Sequence, residues 1–293
     1  MRRWLYLGLV ACLVVGGVGW RYGAQIVPLG AVTSTMSGPE DGGVTDGAYR
    51  NAYFDLSYPL PDGWTEGLAG PGPSAEGYYV LGTLVPQGEL TGTILIAAQD
   101  MFFAGEEWST TAAAASALHH AMSQIEGMTV GAEPAALTVA GRAMHRIDFS
   151  GVGLHRSVFV TDIRCHVVSF KLTARDEARL ESLRLSLNGL ASAASRWSGA
   201  AAIPCVKDYV VADNLVERVE PELPAANFEP IPVRLVIDAR GAVRQVRVIR
   251  ASPGQRIAIE AALRRWKFKP PRVDGRPTDI ETGVLFKSTI AAR

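Results

Sequence analysis

The most regular alternation of apolar and polar positions in this 293-residue chain runs through residues 231–287. Val233, Leu235 and Ile237 fall on one face of a predicted strand, with Arg234 and Asp238 on the other. Asp238-Ala239-Arg240-Gly241 predicts a hairpin connection in which the glycine supplies the positive φ of a tight turn with a bulge. In the returning strand Val246 and Val248 face one way and Arg247 and Ile249 the other. Parity slips by one between Val243 and Val246, the mark of a bulge. Beyond Ser252-Pro253-Gly254, Ile259, Ala262, Leu263 and Trp266 recur at i, i+3, i+4 and i+7. That spacing predicts one apolar helix face, with Glu260 and Arg264 on the exposed side. Trp266-Lys267-Phe268-Lys269-Pro270-Pro271 ends the helix, because proline cannot continue it and restricts the residue before it. Asp274-Gly275 marks a turn, and residues 278–287 a last strand.

Residues 49–191 carry both periods. Strands are predicted at 51–58, 77–85, 91–101, 135–139, 142–149, 154–161 and 164–172. The Ala-rich stretch 109–125 contains neither glycine nor proline and predicts a helix capped by Ser109 or Thr110. A second helix over 175–188 places Leu180, Leu183, Leu187 and Leu190 on one side, with Gly189 near its C-terminus. Strands, helix, strands, helix describe an α+β sandwich on an antiparallel sheet. Residues 192–204 are Ala/Ser-rich and join this unit to the C-terminal one, and 205–217 fit a short amphipathic helix.

At the N-terminus, Met1-Arg2-Arg3 precedes an uncharged apolar run from Trp4 to Trp20, followed by Arg21. The run reaches the lower limit for crossing a bilayer and fits a signal peptide or an uncleaved anchor, the basic end staying in the cytoplasm. Trp4, Tyr6 and Trp20 stand where interfacial aromatics would, and the reading adopted is the anchor. Leu9-Val10-Ala11-Cys12 resembles a lipoprotein cleavage site, although the apolar run continues past the cysteine. Residues 22–48, rich in Gly, Ser, Thr and Pro, read as a flexible tether. The organisation is therefore anchor 1–21, tether 22–48, α+β unit 49–191, linker 192–218 and C-terminal unit 219–293.

Composition adds mainly exclusions. Twenty-nine basic residues balance 29 acidic ones, so no net field steers the chain toward nucleic acid. Arg244, Arg247, Arg250, Arg256, Arg264, Arg265, Lys267 and Lys269 make the C-terminal unit locally basic, with no nucleic-acid motif beside them. Cys165 and Cys205 could pair in an oxidising compartment if their Cα atoms approach closely enough. His119 and His120 point about 100° apart on a helix and would not chelate one ion. His145, His155 and His166 lie on successive strands and could meet across the sheet. Glu106 and Glu107 precede a helix, where negative charge is favourable without catalysis. Ser150 sits in no nucleophile elbow, and no phosphate-binding glycine loop is present. The expectation is a non-enzymatic protein with no cofactor and no metal site.

In the C-terminal unit several features recur in a fixed order. They are the first strand ending in Asp-x-x-Gly, the Val-rich second strand closing at Ser252-Pro253-Gly254, and Ala261-Ala262-Leu263 on the helix. Trp266-Lys267-Phe268-Lys269-Pro270 and Gly275-Arg276-Pro277 complete the series. Together they resemble the C-terminal domain of the TonB family. That resemblance implies a β-β-α-β domain whose last strand, residues 279–286, accepts a segment of an outer-membrane receptor by strand addition. The implied partner-binding residues are Asp279, Ile280, Glu281, Thr282, Gly283, Val284, Leu285 and Phe286. Trp266, Phe268, Pro270, Gly275 and Pro277 would hold helix, corner and last strand together. FDLSYPLPDGW, from Phe54 to Trp64, with the element order of the middle unit, is similar to the PsbP-like fold, which implies no particular activity. Proton-driven TonB proteins resemble one another in a membrane histidine and a long Pro-rich stretch. Here Trp4 to Trp20 contains no histidine and a folded unit replaces the Pro-rich stretch. These departures do not support proton coupling, and energy-coupled transport through an inner-membrane motor complex stays an open implication of the resemblance. The implied function is a membrane-anchored periplasmic adaptor. The alternative is an exported PsbP-like ligand-binding or envelope-assembly protein that uses its C-terminal unit only for attachment.

Overall fold

A computed structural model describes residues 38–191, 203–223 and 228–287. The apolar N-terminal run, Cys12, the first part of the tether and most of the 192–204 linker lie outside them. Among the described residues no helix is long and apolar enough to cross a membrane. Ser37–Arg293 makes one compact unit of mixed α and β structure, dominated by antiparallel sheets.

The unit opens with a small meander of β1 (Gly42–Thr45), β2 (Ala48–Asn51) and β3 (Leu56–Pro59). One strand over 51–58 was the expectation; the chain instead turns at 52–55, where Asp55 takes φ 48° and the Asn51 side chain accepts a hydrogen bond from the Phe54 amide. The turn delivers Tyr53 and Phe54 together to the core, which a straight strand would have sent to opposite faces.

The main sheet follows: β4 (Trp64–Glu66), β5 (Tyr78–Pro86), β6 (Gly92–Asp100), then helix α1 (Thr111–Ser123), and β7 (Thr129–Val130), β8 (Ala135–Val139), β9 (Arg142–Gly151), β10 (Leu154–Ile163) and β11 (His166–Ala174). Its order is β4-β5-β6-β11-β10-β9-β7, with β8 also on β9. Alternation sends Ile94, Ile96, Phe159, Val168, Phe170 and Leu172 to one face. There they pack against the opening meander and helix α2 (Glu177–Ser186), which contributes Leu180 and Leu183, with Leu187 and Leu190 just beyond it. The opposite face gives Ile147, Val158, Val160 and Val167 to Ala114 and Ala115 of α1. Thr110 caps α1 by accepting from the Ala113 amide, and Asp176 caps α2 in the same way at Arg179.

Residues 205–217 do not form the expected helix. They run past Asp208, at φ 57°, through one turn of 3-10 helix into β12 (Leu215–Glu217). Val206, Tyr209, Val210 and Leu215 pack on the C-terminal core instead of making a helix face. The C-terminal lobe then runs β13 (Ile231–Ile237), β14 (Val243–Val248), α3 (Pro253–Leu263), β15 (Lys267–Phe268), β16 (Arg272–Val273), β17 (Arg276–Pro277) and β18 (Ile280–Phe286). Its sheet has the order β14-β13-β18, while β12 pairs with β15 and β16 with β17. The β13–β14 register moves from Val236 opposite Gln245 to Ile237 opposite Val243, leaving Arg244 as the extra residue of the bulge. Ser252 starts α3 with a reciprocal capping box to Gln255, and Ile259, Ala262, Leu263 and Trp266 are buried on one side.

Candidate functional site: the last strand and the joint between the lobes

β13 is buried along its whole length. Val233, Leu235 and Ile237 meet α3, Trp266 and Phe268, as alternation predicts. The other face, where the sequence places Arg234, is covered by the main-sheet lobe rather than by water. Ile249, just past β14, joins the hydrophobic core of that lobe.

Arg234 ends in a pocket of charge. Its guanidinium lies 2.8 Å from Asp100 at the end of β6 and 2.9 Å from Glu281 on β18, and it donates to the Arg164 carbonyl at 3.3 Å. Arg234 is 2% exposed and Asp100 fully buried, so each is the other's substitute for water. Burial alone would disfavour the guanidinium's charge; Asp100, Tyr53 and Glu281 outweigh it and hold the group above its usual pKa. Asp100 is pushed up by burial and pulled back by Arg234. His166 completes the set. Burial and the neighbouring Arg234 drive its pKa well below the ordinary value, so it is neutral. Its Nδ1 donates to the Arg164 carbonyl at 2.7 Å while Nε2 accepts from Arg234 at 3.0 Å, a tautomer assigned from those partners. Phe54, Tyr53 and Tyr79 surround the ring.

β18 is the edge strand of its sheet. Ile280, Thr282, Val284 and Phe286 stand opposite Ile237, Leu235, Val233 and Ile231. Glu281, in contrast, turns its backbone outward. Its amide donates to the Pro204 carbonyl at 2.9 Å and its carbonyl accepts from Val206 at 2.9 Å. With a period of two, the backbones of Gly283 and Leu285 face the same way, and no described residue pairs with them. The edge is thus closed at Glu281 and open at Gly283 and Leu285.

The side chains sort differently from the sequence reading. Ile280, Thr282 and Phe286 are buried, so they serve the lobe's own core rather than a partner. Asp279, just before the strand, accepts from the Ala239 amide and pairs with Arg244, tying the β13–β14 turn to β18. Glu281 is spent on Arg234. A Cβ on Gly283 would come within 2.6 Å of Phe102 Cβ and 3.0 Å of the Phe103 ring, so the lobes meet here at a distance only glycine permits. Val284 and Leu285 stay partly exposed, beside two grooves of about 350 and 370 Å³ that share Trp266, Val284 and Arg218.

Of the residues expected to frame the domain, Trp266 and Phe268 do so. Trp266 Nε1 donates to the Val219 carbonyl at 2.7 Å, and its ring lies 6.1 Å from those of Phe268 and Phe286. Gly275, at φ 78° beside Asp274 at 50°, makes the two-residue turn between β16 and β17. Pro270 and Pro277 are exposed; the buried proline of the corner is Pro271.

Cys165 and Cys205 are joined in a disulfide with their Cα atoms 5.8 Å apart. Cys165 lies in the two-residue turn between β10 and β11, and Cys205 lies between the two residues that bond Glu281. His145 and His155 lie elsewhere on the main sheet. His145 stands opposite Val160 and His155 opposite Ser150, so the three strand histidines do not converge. No group of three His, Cys, Asp or Glu side chains fit to hold a metal occurs among the described residues.

A helix packed on an antiparallel β14-β13-β18 sheet, with the last strand at the edge, is the arrangement the sequence resemblance implies. Residues 230–287 match the family of the Gram-negative bacterial TonB protein C-terminal domain. In this TonB-type domain the buried Arg234 and the glycine contact escaped the sequence, whereas the Cys165–Cys205 pairing that the sequence left open is present. No curated protein matches the chain. Among solved structures, cyanobacterial PsbP from Synechocystis is similar at 14% identity, covering 52% of this chain and 96% of that one, with a TM-score of 0.36. LpqN of Mycobacterium tuberculosis, involved in cell envelope biogenesis, is similar at 17% identity over 46% of this chain and 78% of that one, with a TM-score of 0.29. A Bacteroides thetaiotaomicron protein follows at 12% identity, 48% and 46% coverage and a TM-score of 0.29. Scores of this size carry no functional meaning.

Proposed function

We propose that the chain is a non-enzymatic, inner-membrane-anchored periplasmic adaptor. Its TonB-type domain binds an extended segment of an outer-membrane receptor, or of another envelope partner, by adding a strand to β18. The observation that carries this reading is the unpaired outward backbone at Gly283 and Leu285, flanked by grooves in which a partner's side chains can lie. The main-sheet lobe is more than a spacer in this scheme. It closes one face of β18 through Phe102 and Phe103 and fixes Glu281 through Arg234, so that only one stretch of edge is offered.

Proline substitution separates the edge from the fold. At Thr282 or Val284 the amide faces β13, and proline there breaks the sheet. At Leu285 the amide faces outward, so Leu285→Pro removes a donor that no described residue accepts from and that an added strand would use. With a photo-crosslinker at Lys287 of the full chain, the expected product joins it to an outer-membrane receptor. Leu285→Pro should lower the yield by about tenfold or more, the loss of roughly one charge-neutral hydrogen bond plus register. Undiminished crosslinking in a folded Leu285→Pro chain would sink the proposal.

A further inference from the structure

The closed part of the β18 edge is closed by the protein itself. Residues 204–206 lie along Glu281 in a single parallel β-bridge, with Cys205 directly opposite it. An incoming peptide would need the same two backbone groups, so the chain already occupies part of its own acceptor. What holds this plug is limited. It has the two bonds to Glu281, the half-buried Val206 side chain and an exposed Lys207–Glu106 ion pair. Exposed ion pairs contribute little. Just beyond the plug the Tyr209 hydroxyl donates to the Lys269 carbonyl at 2.8 Å, which anchors the chain that follows. The covalent restraint on the plug itself is the bond from Cys205 to Cys165, which lies 40 residues earlier on the other lobe.

The two cysteines differ in exposure. Cys165 is 1% exposed, whereas Cys205 is an exposed residue. We propose that the Cys165–Cys205 disulfide is a redox latch on the strand-accepting edge: oxidised, it clamps residues 204–206 over Glu281; reduced, it lets them leave and extends the open edge from Gly283 and Leu285 to include Glu281. This rests on the strand-addition reading above. The reductant is a protein dithiol of the thioredoxin class. Its thiolate attacks the sulfur of Cys205, the more exposed residue of the pair, forming a mixed disulfide and expelling Cys165 as a thiolate that takes up a proton. The reductant's second thiol then attacks the mixed disulfide and releases Cys205. Two electrons and two protons reach the cysteines, and the reductant leaves as its own disulfide.

Amide hydrogen exchange on the full chain tests the latch without any partner. On reduction by dithiothreitol the Val206 and Glu281 amides should exchange about tenfold faster or more, while the Val233 and Leu235 amides keep their protection. Cys205→Ser, with no reductant present, should reproduce the reduced pattern. Unchanged protection at Val206 and Glu281 overturns the latch. So does acceleration of the β13 amides together with them, since the disulfide would then be a staple for the whole lobe. Crosslinking at Lys287 supplies the functional arm. A higher yield from the reduced chain supports a regulatory role, and equal yields in the two states overturn it. Absence of crosslinking in both states counts instead against strand addition itself, and the exchange result stands apart from it.

Discussion

At the scale of single residues, Arg234 is where charge decides stability. Removing it leaves Asp100 unpaired where it is fully buried and takes from Glu281 its buried cationic partner. Arg234→Met should therefore cost about 3–5 kcal/mol in a urea titration of the full chain. Arg234→Lys should recover only part of that, since an ammonium cannot reach Asp100, Glu281 and His166 from one planar fork. His166 adds a dependence on pH. Its folded pKa lies below its unfolded value, so its share of stability is complete above about 6.5 and is lost as pH falls from there toward the folded value. The loss is at most about 1.4 kcal/mol per pH unit. Asp100, whose pKa is raised, has the opposite dependence, with stability lost as pH rises through its folded value. Because Asp100 is common to parent and variant, His166→Gln isolates the histidine. Between pH 7 and 5.5 the Tm of the parent should fall further than that of His166→Gln; equal falls would assign the titration elsewhere.

Among the elements, Gly283 is the position at which a strand, a loop and two lobes meet. Gly283→Ala pushes a methyl group against Phe102 Cβ, a backbone-proximal atom that cannot swing aside. The expected cost is about 1–3 kcal/mol by chemical denaturation, whereas alanine at the exposed Gly275 turn would act through its positive φ alone. The sequence showed elements wherever one period ran long enough to fix a face. That is why β5, β6, β9, β10, β11, both main-lobe helices and the capped α3 were legible, and why the bulge at Arg244 showed as a slip in parity. Legibility failed at 51–58, where apolar residues continue through a turn set by Asn51 and Asp55, and at 205–217. In the latter stretch Val206, Val210 and Leu215 are apolar because they pack on the C-terminal core, not because they share a helix face. The candidate strand was legible as an edge. Which of its residues face outward was not, because the identity of β13's hydrogen-bonded partners depends on register rather than on composition.

For the molecule as a whole, alternation said that Arg234 lies opposite Val233 and Leu235, but a polar face can meet water or another lobe. The deciding partner, Asp100, is 134 residues away. Two units that looked separable are packed as one, with Ile249 in the core of the neighbouring lobe and Arg247 paired with Glu40 near the start of the described chain. The antiparallel pairing of β13 with β18 has a mechanical side too. A pull along β18 acts lengthwise on the ladder, so the pairs at Ile231, Val233, Leu235 and Ile237 resist together in shear instead of opening one after another. A load applied at Glu281 would pass through Arg234 to β6 and through the plug to Cys165, so the main-sheet lobe would bear part of it.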